Sequence, residues 1–173
     1  MPTVVPGETA ELDQLLQYLE AQRGGLRRSV HNLTDEQAAA RPTVSALTLG
    51  GLIKHAARCE RGWVAIMVGQ PEPSRANDWV SEFRMEDGET LAGLLDLYAE
   101  VAKATEVAVR GLPSLDVTVS LPEAPWFPKE DRSARWILLH LIEEAARHSG
   151  HADILRETLD GATAFELVAA VNG

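Results

Sequence analysis

The fold turns on one stretch: Trp136-Ile137-Leu138-Leu139-His140-Leu141-Ile142-Glu143-Glu144-Ala145-Ala146-Arg147-His148-Ser149-Gly150-His151-Ala152-Asp153-Ile154-Leu155. It contains no proline, and its apolar residues return every three or four positions, so it reads as a single long helix. The helix begins near Ser133 and reaches about Asp160, with Gly161 as its stop. At about 100° per residue with Glu144 set to zero, His148 lies near +40°, His140 near −40° and His151 near −20°. One carboxylate and three imidazoles therefore occupy a narrow stripe. Ile137, Leu141 and Leu155 flank it, so the polar groups point toward an apolar interior.

The rest of the chain reads mostly as further helices. From Glu8 to about Asn32, Leu12, Leu15, Leu16 and Leu19 follow helical spacing, and Leu26, Val30 and Leu33 continue the stripe. Gly24-Gly25 predicts a kink there. Thr34-Asp35-Glu36-Gln37 caps a short helix that runs through Ala40 and ends before Pro42. A second long helix spans about Thr48 to Val68, with Leu49, Leu52, Ile53, Ala56, Trp63, Ile66 and Met67 on its apolar face. A polar loop from Pro71 to about Asp87 carries Trp79 and Phe83. A third long helix runs from near Glu89 to about Gly111, through Leu91, Leu94, Leu95, Tyr98, Val101 and Ala102. Residues 116–121 alternate like a short strand, and Pro122, Pro125 and Pro128, with Trp126 and Phe127 between them, then exclude a helix. A tail helix is predicted from Thr163 to Ala170. The expected fold class is all-α: a four-helix bundle with long connections, forming one domain over residues 1–173. Long connections in so small a domain are more often functional covers than idle linkers.

Composition narrows the functions. The chain has 173 residues, 45% of them hydrophobic and 24% charged, with a net charge of −10. Nucleic acid and anionic membrane surfaces both require a basic face, so neither is expected as a partner. The single cysteine, Cys59, excludes an internal disulfide and any multi-cysteine zinc site. No apolar run approaches the roughly 20 residues of a membrane span, and the N-terminus lacks a basic region followed by an apolar core. A cytoplasmic location is expected.

The acid in the stripe carries the chemistry. An ionised carboxylate facing an apolar interior needs a partner, and a divalent metal is one. Glu144 and His148, at i and i+4, present two ligands from one helix. His55, beside the Leu52/Ile53/Ala56 face, can supply a third across the bundle. Two histidines and a glutamate with an open position suit Zn²⁺, and also Ni²⁺. His140 and His151 read as pocket residues that support the ligands and not as further ligands. The plainer alternatives are a hydrogen-bonded core histidine at 55 and a solvated pair at 144 and 148. His31 sits where a helix C-terminus favours a histidine. Cys59 reads as a small buried hydrophobe, and the tryptophans as packing or lid residues.

The block Arg135 to Glu144, continued by Ala146-Arg147-His148-Ser149-Gly150-His151-Ala152-Asp153, resembles the last bundle helix of the DinB/YfiT-like metalloenzymes. It is most similar to an actinobacterial-type branch of unknown function. Thr48-Leu49-Gly50-Gly51-Leu52-Ile53-Lys54-His55, with Glu60-Arg61-Gly62-Trp63, resembles the second helix of that branch. The resemblance spans essentially the whole chain. It implies a four-helix bundle that binds a metal through three inward side chains, often as a homodimer. Most members place one histidine on helix two and His-x-x-x-His on the last helix. Here Glu144 stands at the first position of that pair, as in the related mycothiol-dependent maleylpyruvate isomerase. The implied metal ligands are His55, Glu144 and His148.

The characterised relatives are thiol-dependent isomerases and S-transferases. The resemblance therefore implies a small-molecule thiol such as mycothiol and an electrophilic substrate, with His140 or His151 as general base or orienting group and Arg147 either holding an anionic group of thiol or substrate or forming a surface ion pair. Hydrolysis by a metal-bound hydroxide, a non-catalytic metal- or ligand-binding bundle and a metal-free structural bundle are the competing expectations.

Overall fold

A computed structural model describes residues 4–7, 10–71, 79–121 and 129–172. Four long helices carry the apolar stripes: α1 (Glu11–Ser29), α3 (Leu49–Met67), α5 (Leu91–Arg110) and α6 (Ala134–Asp160). Three shorter helices accompany them: α2 (Asp35–Ala39), α4 (Trp79–Glu82) and α7 (Ala164–Asn172). The chain is thus an all-α bundle, as its periodicity predicts. α1 packs mainly on α6, while α3 packs on both α5 and α6 and so lies at the centre.

The helix starts follow the local chemistry. Thr48, Thr90 and Ser133 each accept a hydrogen bond from a backbone amide in the first turn of α3, α5 and α6. Thr34 and Gln37 form a reciprocal capping box on α2. Asp35 in turn accepts the Leu91 amide at 2.7 Å, which ties α2 to the start of α5. α6 ends at Gly161, whose φ of +83° is the left-handed conformation that glycine tolerates best.

Four features depart from the sequence reading. Helix α1 begins at Glu11, later than Glu8, and runs unbroken through Gly24 and Gly25. A Cβ on Gly25 would lie 2.8 Å from Ser149 Oγ, so this glycine serves the close approach of α1 to α6. The Pro71–Asp87 stretch contains α4; residues 72–78 lie outside the described set, as do the side chains of Trp79 and Val80. The predicted strand is only β1 (Thr118–Val119), and it pairs antiparallel with an unforeseen β2 (Arg132–Ser133). The proline segment with Trp126 and Phe127 lies outside the described residues. The tail helix extends to Asn172.

The core also holds charge that periodicity did not predict. Arg23 of α1 donates two hydrogen bonds to Glu60 of α3, from Nε at 3.0 Å and from Nη2 at 2.5 Å, and both residues are buried. Thr105 of α5 donates a further bond to the same carboxylate. With both partners buried and the acceptors filled, the pair is tolerable inside a bundle. Lys54 is also fully buried, and its ammonium bonds Glu89 at 2.8 Å.

Residues 82–89 run across the first half of α3. Thr48 donates to the Phe83 carbonyl from both its amide and its hydroxyl. Arg58 bonds Glu82 at 3.0 Å. A Cβ on Gly51 would fall 1.9 Å from the Phe83 carbonyl oxygen, so only glycine allows this contact.

Candidate metal centre

α3 and α6 bring three of the expected residues together. His55 comes from the middle of α3, and Glu144 and His148 from successive turns of α6. One ligand atom from each lies within 4.8 Å of the others. Glu144 Oε2 is 3.5 Å from His148 Nε2 and 3.9 Å from His55 Nε2. The two imidazoles are buried, and Glu144 retains 22% side-chain exposure.

The donor set and its spacing fit a metal. Bonds of about 2.0–2.2 Å in a tetrahedron put neighbouring donors roughly 3.3 Å apart, so small side-chain adjustments would close this triad. Neutral imidazole and carboxylate suit Zn²⁺ and other first-row divalent ions. The neighbouring imidazoles of His148, then His55, hold the Glu144 carboxyl well below the usual carboxylate range despite its partial burial. The acid is therefore ionised and matched to a cation.

The surrounding residues orient the three. His151 Nδ1 lies 3.3 Å from His148 Nδ1, so the ring nitrogen that faces away from Glu144 is engaged. Phe83, in the strap across α3, stacks on His55 with ring centroids 4.2 Å apart and lies 5.8 Å from His148. Sequence reasoning left Phe83 in a polar loop, and no local pattern marks its role. A cavity about the size of one water lies beside the triad, lined by Cys59, Glu60 and Tyr98 as well as the three candidates. Cys59 is partly buried and forms no disulfide.

His140 sits one turn before Glu144 on the same stripe. Its ring lies parallel to Trp136 at 5.3 Å and edge-on to Trp63 at 4.7 Å. Burial pushes the imidazole's pKa down, more than Glu144 and Glu143 draw it up, so it is neutral near pH 7. His151 is also shifted down, by burial first and then by the charges of His148 and Arg147. Arg147 is more than half exposed; it pairs with Glu143 at 3.0 Å and lies 3.8 Å from Glu144. His31 sits in the turn after α1, outside this cluster, and its carbonyl accepts a bond from Arg156.

A larger groove of about 710 Å³ lies between α3 and α5, lined by Val64, Val68, Leu97 and Val101. It contains none of the three candidate ligands, so its size does not make it the reactive centre. No helix among the described residues is long and apolar enough to cross a membrane.

Comparisons with known proteins agree with this architecture. The family described as mycothiol-S-transferase matches residues 14–161, which include all three candidate ligands. No curated protein matches significantly. A crystal structure of a conserved protein from Enterococcus faecalis superposes with a TM-score of 0.70 at 15% identity, over 90% of this chain and 100% of that one. At that identity the likeness establishes the fold alone.

Proposed function

The chain belongs to the mycothiol S-transferase family, a DinB/YfiT-like family, and from that footing we propose a divalent-metal-dependent transferase that joins a mycothiol-like thiol to an electrophile. The observation that carries the metal dependence is the convergence of His55, Glu144 and His148 from two helices. These three side chains would hold the ion, with Zn²⁺ the favoured occupant and Ni²⁺ the alternative. When bound, such a cation stabilises a thiolate at neutral pH.

Each neighbouring residue has a task. His151 fixes the ring of His148. Neutral His140 takes the proton that the thiol releases. Phe83 shields His55 from water on one side. Arg147, which holds an exposed ion pair with Glu143 and a longer one with Glu144, steers an anionic group at the mouth. The sulfur then forms a bond to the electrophilic atom, and the electrophile's leaving group departs with its electron pair. A reducing compartment such as the cytoplasm suits such a thiol.

The test compares metal-loaded, chelated and His148→Ala protein in the conjugation of mycothiol to a bimane electrophile. Turnover is expected only in the loaded wild type. Equal turnover after chelation overturns the metal dependence, and turnover without thiol assigns hydrolysis to the centre instead.

A further inference from the structure

Above the triad, α6 and the strand before it present a ladder of side chains at four-residue spacing: Arg132, Trp136 and His140, then Glu144. The Arg132 guanidinium carbon lies 5.5 Å from the Trp136 ring centroid, and the indole stacks on His140 at an interplanar angle of 8°. Buried Trp63 braces both rings from the side. Trp136 and His140 are only partly buried. Trp136 stands eight residues before Glu144, about 12 Å along the helix. A ligand that spans both ends of this wall is therefore extended.

The polar groups at the far end indicate its chemistry. Arg132 Nη1 donates to the Glu130 carboxylate at 2.9 Å and to the Asp131 carbonyl at 3.1 Å. Its side chain remains one-fifth exposed beside the indole, so the guanidinium edge can also meet a ligand there. Asp131 accepts from the Ser120 hydroxyl at 2.7 Å. Two acids beside one cation, in a chain of net charge −10, disfavour an anionic ligand. Donors and acceptors side by side, next to an indole, suit neutral hydroxyl groups on a ring whose C–H edges pack against the aromatic surface.

We propose that Arg132, Trp136 and Glu130 form a subsite for the neutral, polyhydroxylated body of the thiol, while its sulfur lies at the triad. This assignment rests on the transferase reading. Mycothiol, which carries its cysteine on a pseudodisaccharide, has the required length and hydroxyl groups.

The test measures KM, kcat and calorimetric binding on zinc-loaded protein with two thiols, mycothiol and N-acetylcysteine, which lacks the sugar body. Wild type is expected to favour mycothiol. Arg132→Gln should raise the mycothiol KM about tenfold and leave kcat and the N-acetylcysteine KM unchanged. Trp136→Phe, which keeps most of the packing, should shift the same parameter in the same direction, with zinc content unaltered. Equal losses with both thiols, or none with either, overturn the subsite and leave the transferase reading standing. A wild type that engages neither thiol overturns both.

Discussion

At the scale of single residues, the triad depends on how its rings are held. His148 offers Nε2 toward Glu144 only while Nδ1 is engaged by His151. His151→Ala should therefore weaken zinc binding about 10- to 100-fold while one ion per chain still binds at saturation. Titration against a competing chelator measures this, and an unchanged affinity would show that His151 does not orient the ring. Glu144 and His148 were legible in the sequence because i and i+4 share a helix face, and His55 because it borders an apolar stripe. Phe83 was not, since it reaches His55 through the fold of a strap packed on Gly50 and Gly51. Nor were Arg23 and Glu60, because a charged residue in a helix is normally solvated and only three-dimensional packing reveals its buried partner.

At the scale of elements, the strap over α3 depends on the ion pair of buried Lys54. Burial alone would push the Glu89 carboxyl up; the Lys54 hydrogen bond, the Glu86 amide and the charges of Lys54 and Arg58 hold it below its ordinary value. A carboxyl depressed in the folded state stabilises the fold above its unfolded pKa of about 4.3, and that contribution disappears as pH falls through the folded value. Glu89→Gln should destabilise the protein by about 2 kcal/mol at pH 7, less than for a fully buried pair because Glu89 keeps 24% side-chain exposure. Denaturant midpoints of variant and wild type should draw together as pH falls from about 4.3 through the depressed folded value. A constant gap across that range would assign the loss to packing and not to charge. Helices were predictable at this scale, since caps such as Ser133 and stops such as Gly161 are local signals. The β1–β2 pair was not, because two-residue strands carry no alternation that marks a partner.

At the scale of the whole molecule, α3 and α6 are joined at the triad, so a bound ion would tie two long helices together. With free zinc at about 1,000 times its dissociation constant, the added stability is about 4 kcal/mol, or roughly 10 °C in melting temperature for a chain this size. Calorimetry with and without chelator checks this, with His55→Ala as the control that should show no shift. A wild type that melts identically in both conditions would mean that no ion is held there.

The sequence alone determined the four apolar stripes, the capped and stopped ends of α6 and its face that carries Glu144 and His148, because these follow from periodicity and capping within a few turns of chain. Tertiary structure alone decided that His55 faces that pair, that Phe83 covers it and that Arg23 and Glu60 meet inside the bundle. Those contacts depend on the distance and rotation between helices. They are set by the packing of residues far apart in the chain, such as Gly25 against Ser149 and Gly51 against the Phe83 carbonyl, and no local pattern encodes them.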